Sequence, residues 1–167
     1  MWNYEKRLQF PVKIDCTSPA AAKVIITQLG GPDGETAAAM RYLNQRYAMP
    51  NRHVAGLLTD IGTEELAHME MIAAIVRQLT RNMTMKKAGF DTYFVDHTGG
   101  IWPQAASGMP FSSMVFQSKG DAITDLFEDL AADGTTVQEQ RSGKPLKIQD
   151  FLLYEFFHAT FVKGQPT

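Results

Sequence analysis

Cysteine is nearly missing from this chain of 167 residues. Cys16 stands alone, so no intramolecular disulfide forms and no thiolate cluster holds a metal. Any metal must be bound through oxygen and nitrogen. A single cysteine also fits synthesis in a reducing, cytoplasmic compartment. An excess of one charge is lacking too. Sixteen Lys and Arg nearly balance eighteen Asp and Glu, for a net charge of −2. Nothing in that balance invites nucleic acid or an anionic membrane surface. No apolar run approaches the roughly 18–20 residues of a membrane-spanning helix, and the start does not read as a secretory signal. Solenoid-type repeats and low-complexity tracts are absent. What is present is an ordinary globular composition, 44% apolar, long enough for one domain with a real core.

Helical periodicity organises that core. Leu58, Ile61, Glu65, His68, Ile72, Ile75 and Leu79 step by alternating threes and fours, the mark of one buried stripe on a bundle helix. The spacing predicts a helix over about 52–79. Thr17-Ser-Pro is a helix start, a hydroxyl cap before a first-turn proline, and predicts a helix to about Leu29. Gly30-Gly-Pro-Asp-Gly34 interrupts it, and a second helical segment is predicted from Glu35 to about Tyr47. Residues 1–15 read as an extended arm whose Trp2, Tyr4 and Phe10 pack across the domain or onto a neighbouring subunit. Pro11 blocks a helix there. Between Thr80 and Ser118 no period survives. An irregular insertion of that length has a job, such as a lid or a subunit contact. A helix is predicted from about Lys119 on the stripe Ile123, Leu126, Leu130 and Asp133, ending at Gly134. A last one is predicted over about 146–162.

Polar residues stand on these apolar stripes. Glu65 and His68 lie one turn apart on theirs. An unpaired buried carboxylate costs several kcal/mol unless it is paired, protonated or bound to a metal. Glu155 and His158 repeat the Glu-x-x-His spacing on the last helix. Glu35 precedes the first pair and Asp133 falls between the two, so the chain order is acid, Glu-x-x-His, acid, Glu-x-x-His. That is the pattern of a ferritin-like di-metal bundle, in which two helices give one carboxylate each and two give Glu-x-x-His. Two close cations require several negative charges, and imidazoles with open positions suit manganese or iron. Tyr42, seven residues after Glu35, brings a hydroxyl near that carboxylate. Plainer readings exist for each. Glu65 and His68 make a satisfied polar pair, Glu35 favours a helix start through the dipole, Asp133 is an exposed helix end, Glu155 and His158 are a coincidence, and Tyr42 is packing. Glu64 and Glu70 lie off the stripe and read as solvated.

Residues 5–12 (Glu-Lys-Arg-Leu-Gln-Phe-Pro-Val), 30–47, 57–72 (Leu-Leu-Thr-Asp-Ile-Gly-Thr-Glu-Glu-Leu-Ala-His-Met-Glu-Met-Ile), 93–97 (Tyr-Phe-Val-Asp-His) and 119–132 resemble the manganese catalases. Within that family they are most like the small spore-coat proteins of the JC type. The resemblance covers residues 1–132. It implies an all-α, ferritin-like four-helix bundle with a long irregular insertion between the helix pairs. It further implies two manganese ions, hydrogen peroxide as substrate, a homo-oligomer of hexamer type and a place among other spore-coat proteins. Glu35 would be a terminal ligand, Glu65 a bridging carboxylate, His68 a nitrogen ligand and Tyr42 a partner behind them. The ending departs from the family. Where the family has a glutamate ligand this chain has Asp133, one methylene shorter, followed by Gly134. Tyr154-Glu-Phe-Phe-His158 is the nearest match to the family's last ligand motif, with His158 as the ligand and Glu155 as an acid that moves protons. Two rival readings remain open: a structural coat component with a degenerate site, and a di-iron oxidase.

Overall fold

The computed structural model describes residues 4–83, 101–115 and 118–138. The chain divides into two compact units, Met1–Asp125 and Leu126–Thr167. Four α-helices are described: α1 (Pro19–Gly30), α2 (Glu35–Gln45), α3 (Arg52–Leu79) and α4 (Ala122–Gln138). Among the described residues there is no strand, only an isolated bridge between Gln104 and Pro110.

The starts of α1 and α3 follow from their local sequence. The Ser18 hydroxyl accepts a hydrogen bond from the Ala21 N–H at 3.3 Å, with Pro19 in the first turn. The Asn51 side chain accepts from the His53 N–H at 2.8 Å to open α3. α1 and α2 together run antiparallel to α3. The Ser18 N–H donates to the Leu79 carbonyl at 2.9 Å at one end, and Arg46 reaches the Thr59 hydroxyl at 3.4 Å at the other. Between them α2 and α3 come close at a glycine. A Cβ on Gly62 would stand 2.8 Å from the Leu43 side chain. Ala22, Ile26, Leu29, Ala37, Ala39, Tyr42, Leu58, Met71, Ile72, Ile75, Val76 and Leu79 are buried, and they form the core of the first unit. On α2 the small residues Ala37 and Ala39 are fully buried, whereas Ala38 is only half-buried.

The break at Gly30–Gly34 is held by neighbours. The Gly31 N–H bonds the Thr27 carbonyl at 2.7 Å, and the Thr36 hydroxyl bonds the Leu29 carbonyl at 2.5 Å. Residues 103–111, part of the predicted irregular insertion, fold over the end of α1. The Ala106 N–H donates to the Thr27 hydroxyl at 2.8 Å. A Cβ on Gly30 would lie 2.0 Å from the Gln104 nitrogen, so only glycine admits that passage. The N-terminal arm lies along α3. Tyr4 donates to Glu70 at 2.6 Å, and Gln78 bonds the Val12 carbonyl and the Ile14 N–H at 2.8 and 2.7 Å. Trp2 lies outside the described residues, and Tyr4 and Phe10 are largely exposed.

α4 differs from expectation in two ways. It continues through Gly134 to Gln138 instead of ending there. A glycine stops a helix when it adopts the left-handed conformation; in a helical one it costs only about 1 kcal/mol relative to alanine. Its buried face is also not the predicted one. Ile123 is 69% exposed, while Asp125 and Asp129 are buried. The Asp125 carboxylate folds back to accept from the Lys119 and Gly120 N–H groups at 2.6 and 3.1 Å and from the Ser118 hydroxyl at 3.1 Å. Asp121 caps the start by accepting from the Thr124 N–H at 2.9 Å and its hydroxyl at 2.6 Å. An acid buried on backbone donors displaced the apolar residue that periodicity placed inside.

Candidate metal centre

Glu35 owes its place to the break before it. The turn at residues 31–34 restarts the helix so that Glu35 is the first residue of α2, midway along the α1–α2 arm and opposite the middle of α3. There it meets Glu65 and His68, a turn apart on the inner face of α3. One donor atom from each of the three lies within 4.8 Å of the others. The His68 Nδ1 is 2.7 Å from Glu65 Oε2 and 3.9 Å from Glu35 Oε2. All three side chains are nearly out of solvent, with Glu65 the most open at 13%. Burial pushes the Glu65 carboxyl up. The hydrogen bonds with His68 and Glu35 and the imidazole's charge outweigh it, so the group titrates below the ordinary carboxylate value.

These groups fit a cation. Two carboxylates and an imidazole form the mixed oxygen and nitrogen set that manganese and iron accept. Ligand bonds of roughly 2 Å bring donors within roughly 4 Å of each other, so small side-chain movements close the three on one ion. Three protein donors also leave coordination positions open.

The other expected site residues fall differently. Tyr42 is buried on α2, two turns after Glu35. Asp133 lies within the helical backbone of α4, four residues after the buried Asp129, and its side chain is outside what the structure describes. Glu155 and His158 lie outside the described residues altogether.

Two acids read as solvated have partners. Glu70 accepts the Tyr4 hydroxyl, and that bond, with minor contributions from burial and charge, raises the tyrosine above its ordinary value. Glu64, 44% exposed, accepts from Gln9 at 3.2 Å and stands 3.9 Å from His68 Nε2. The adjacent Glu-Glu pair ahead of the histidine was the only sequence signal for Glu64. Glu64 also lines a groove of about 900 Å³ between the arm, with Leu8 and Gln9, and the outer face of α3, with Ala67 and Ala73.

The comparisons with known proteins converge. Residues 1–142 match the family model described as manganese containing catalase. Protein CotJC of Bacillus subtilis is 52% identical over 136 residues, which span 80% of this chain and 71% of that one. A probable manganese catalase of Clostridium acetobutylicum is 32% identical over 138 residues, 80% of this chain and 61% of its own length. The crystal structure of wild-type KatB, a manganese catalase from Anabaena, superposes with a TM-score of 0.74 at 25% identity, covering 86% of this chain and 68% of that one. The fold is therefore the all-α, ferritin-like one, and the described helices are its parts. Helical element order, a buried carboxylate–imidazole cluster and these similarities lead to one conclusion: the chain belongs to the manganese-containing catalase family.

Proposed function

We propose that this chain is a spore-coat-type manganese catalase, a single ferritin-like domain that converts hydrogen peroxide to water and dioxygen. The observation that carries the reading is the buried cluster of Glu35, Glu65 and His68 in a chain of this family. Glu35 and His68 would be terminal ligands and Glu65 the bridging one. Asp133 and His158 would serve the second ion. A bound manganese pair supplies a two-electron couple that takes electrons from one peroxide and returns them to the next. The chain's own groups prepare for this. Glu65 is held anionic by His68 and Glu35, so it has no proton to lose before it meets a cation. The burial of all three groups keeps bulk water from competing for the ions. In 2 H2O2 → 2 H2O + O2, one peroxide gives up two protons and the other receives them. Glu155 is the group assigned to carry these protons. Tyr42, buried on α2 two turns after Glu35, would hold that carboxylate in orientation. Likeness to CotJC supports a spore-coat location, and assembly with further copies and other coat proteins is part of the proposal.

The test is direct. The purified chain, loaded with manganese, should hold about two ions per chain, as di-manganese carboxylate bundles do. It should also evolve oxygen from peroxide at an electrode. Full manganese without oxygen release would instead establish a structural coat role. Iron loading with oxygen uptake would establish an oxidase.

A further inference from the structure

The far side of His68 also faces a carboxylate. The Nδ1 side looks at Glu65 and Glu35, and on the opposite edge Nε2 lies 3.9 Å from Glu64 Oε1, one helical turn earlier. That same Glu64 oxygen accepts a hydrogen bond at 3.2 Å from Gln9 of the arm. The arm is anchored on both sides of Gln9, by Tyr4 on Glu70 and by Val12 and Ile14 on Gln78.

We infer that Glu64 is a positioning residue for His68, favouring the ring proton on Nε2 so that Nδ1 is open to the ion, and that Gln9 of the arm holds Glu64 there. The inference rests on the metal-centre reading above. Its physical basis is the single proton of a neutral imidazole. With no ion bound, Glu65 at 2.7 Å attracts that proton to Nδ1. Binding an ion through Nδ1 requires it on Nε2, and a carboxylate beside Nε2 stabilises that tautomer and makes the ligand more basic. At 3.9 Å the contact is a longer-range attraction between the carboxylate and the polarised Nε2–H, and not a hydrogen bond. Glu64 is also half-exposed and screened by water. The effect therefore belongs at the low end of what outer partners contribute to metal affinity.

The test uses the full chain and manganese alone, with free Mn(II) followed by its EPR signal during titration. Glu64→Ala should weaken manganese binding about tenfold, the low end of the 10–100-fold range for such partners. Glu64→Asp should recover part of the loss, and Gln9→Ala should give a smaller loss in the same direction. The melting temperature of metal-free Glu64→Ala should match that of the parent, because the residue is not part of the core. Manganese affinity within twofold of the parent in Glu64→Ala, beside loss of binding in His68→Ala, would overturn the inference and leave the metal centre standing. A lower metal-free melting temperature that accounts for the weakened binding would overturn it too. A parent chain that binds no manganese would overturn both readings.

Discussion

Two opposed forces act on Glu65. Burial favours its neutral form, while His68 at 2.7 Å and the bond with Glu35 favour the anion, and the second effect wins. A bound metal ion would place a positive charge against that anion. Glu65→Ala should therefore lower manganese affinity by on the order of a hundredfold or more, beyond the range typical of outer partners, as measured by metal analysis after dialysis. Unchanged metal content in that variant would remove Glu65 from the ligand set. The residue scale was well covered by periodicity for this pair, because an acid and a histidine interrupt an otherwise apolar stripe. Glu64 escaped the same logic. A stripe sorts side chains into inner and outer faces, but an imidazole has two nitrogens about 2 Å apart, and a buried ring turns one of them toward the next face. The partner that fixes Glu64 is Gln9, and no local pattern joins residues so distant in sequence.

At the scale of elements, caps and breaks decide where chemistry falls. The interruption at residues 31–34 sets Glu35 at the start of α2, and the loop at 103–111 packs on Gly30 at the end of α1. Gly30→Ala should destabilise the protein by about 1–3 kcal/mol, since its Cβ would strike the Gln104 backbone. Gly56→Ala, in α3 with nothing within 4 Å of its Cβ, should instead gain up to about 1 kcal/mol from helix propensity. Thermal unfolding of the two variants side by side reads both signs. At α4 the Thr124 hydroxyl and N–H hold the Asp121 carboxyl below its ordinary value of 3.8. A group depressed in the folded state contributes stability above its unfolded value and loses it as pH falls through the folded one. Helicity measured by circular dichroism in the parent but not in Asp121→Ala should carry a component that declines below about pH 3.8. The start of α1 was legible in Thr17-Ser18-Pro19, and the extent of α3 in its apolar spacing. The end of α4 was not, because Gly134 permits a stop without compelling one.

At the scale of the molecule, metal and fold are linked. An ion that binds only the folded chain raises stability by about 2.7 kcal/mol at a hundredfold excess over its dissociation constant. Stripping manganese with a chelator should lower the melting temperature, and manganese, but not magnesium, should restore it. Equal melting with and without manganese would mean that no ion is held in the folded state. Sequence by itself determined the helical class and the three residues that come together. Their signal lies in spacing along one or two helices, and backbone geometry converts spacing directly into a shared face. Tertiary structure alone decided the rest. It folded residues 103–111 over Gly30, laid the arm along α3, and buried Asp125 and Asp129 where Ile123 was expected. It also gave His68 a carboxylate on either edge. These depend on which backbone donors and side chains meet across long stretches of chain, and that is settled only when the elements pack.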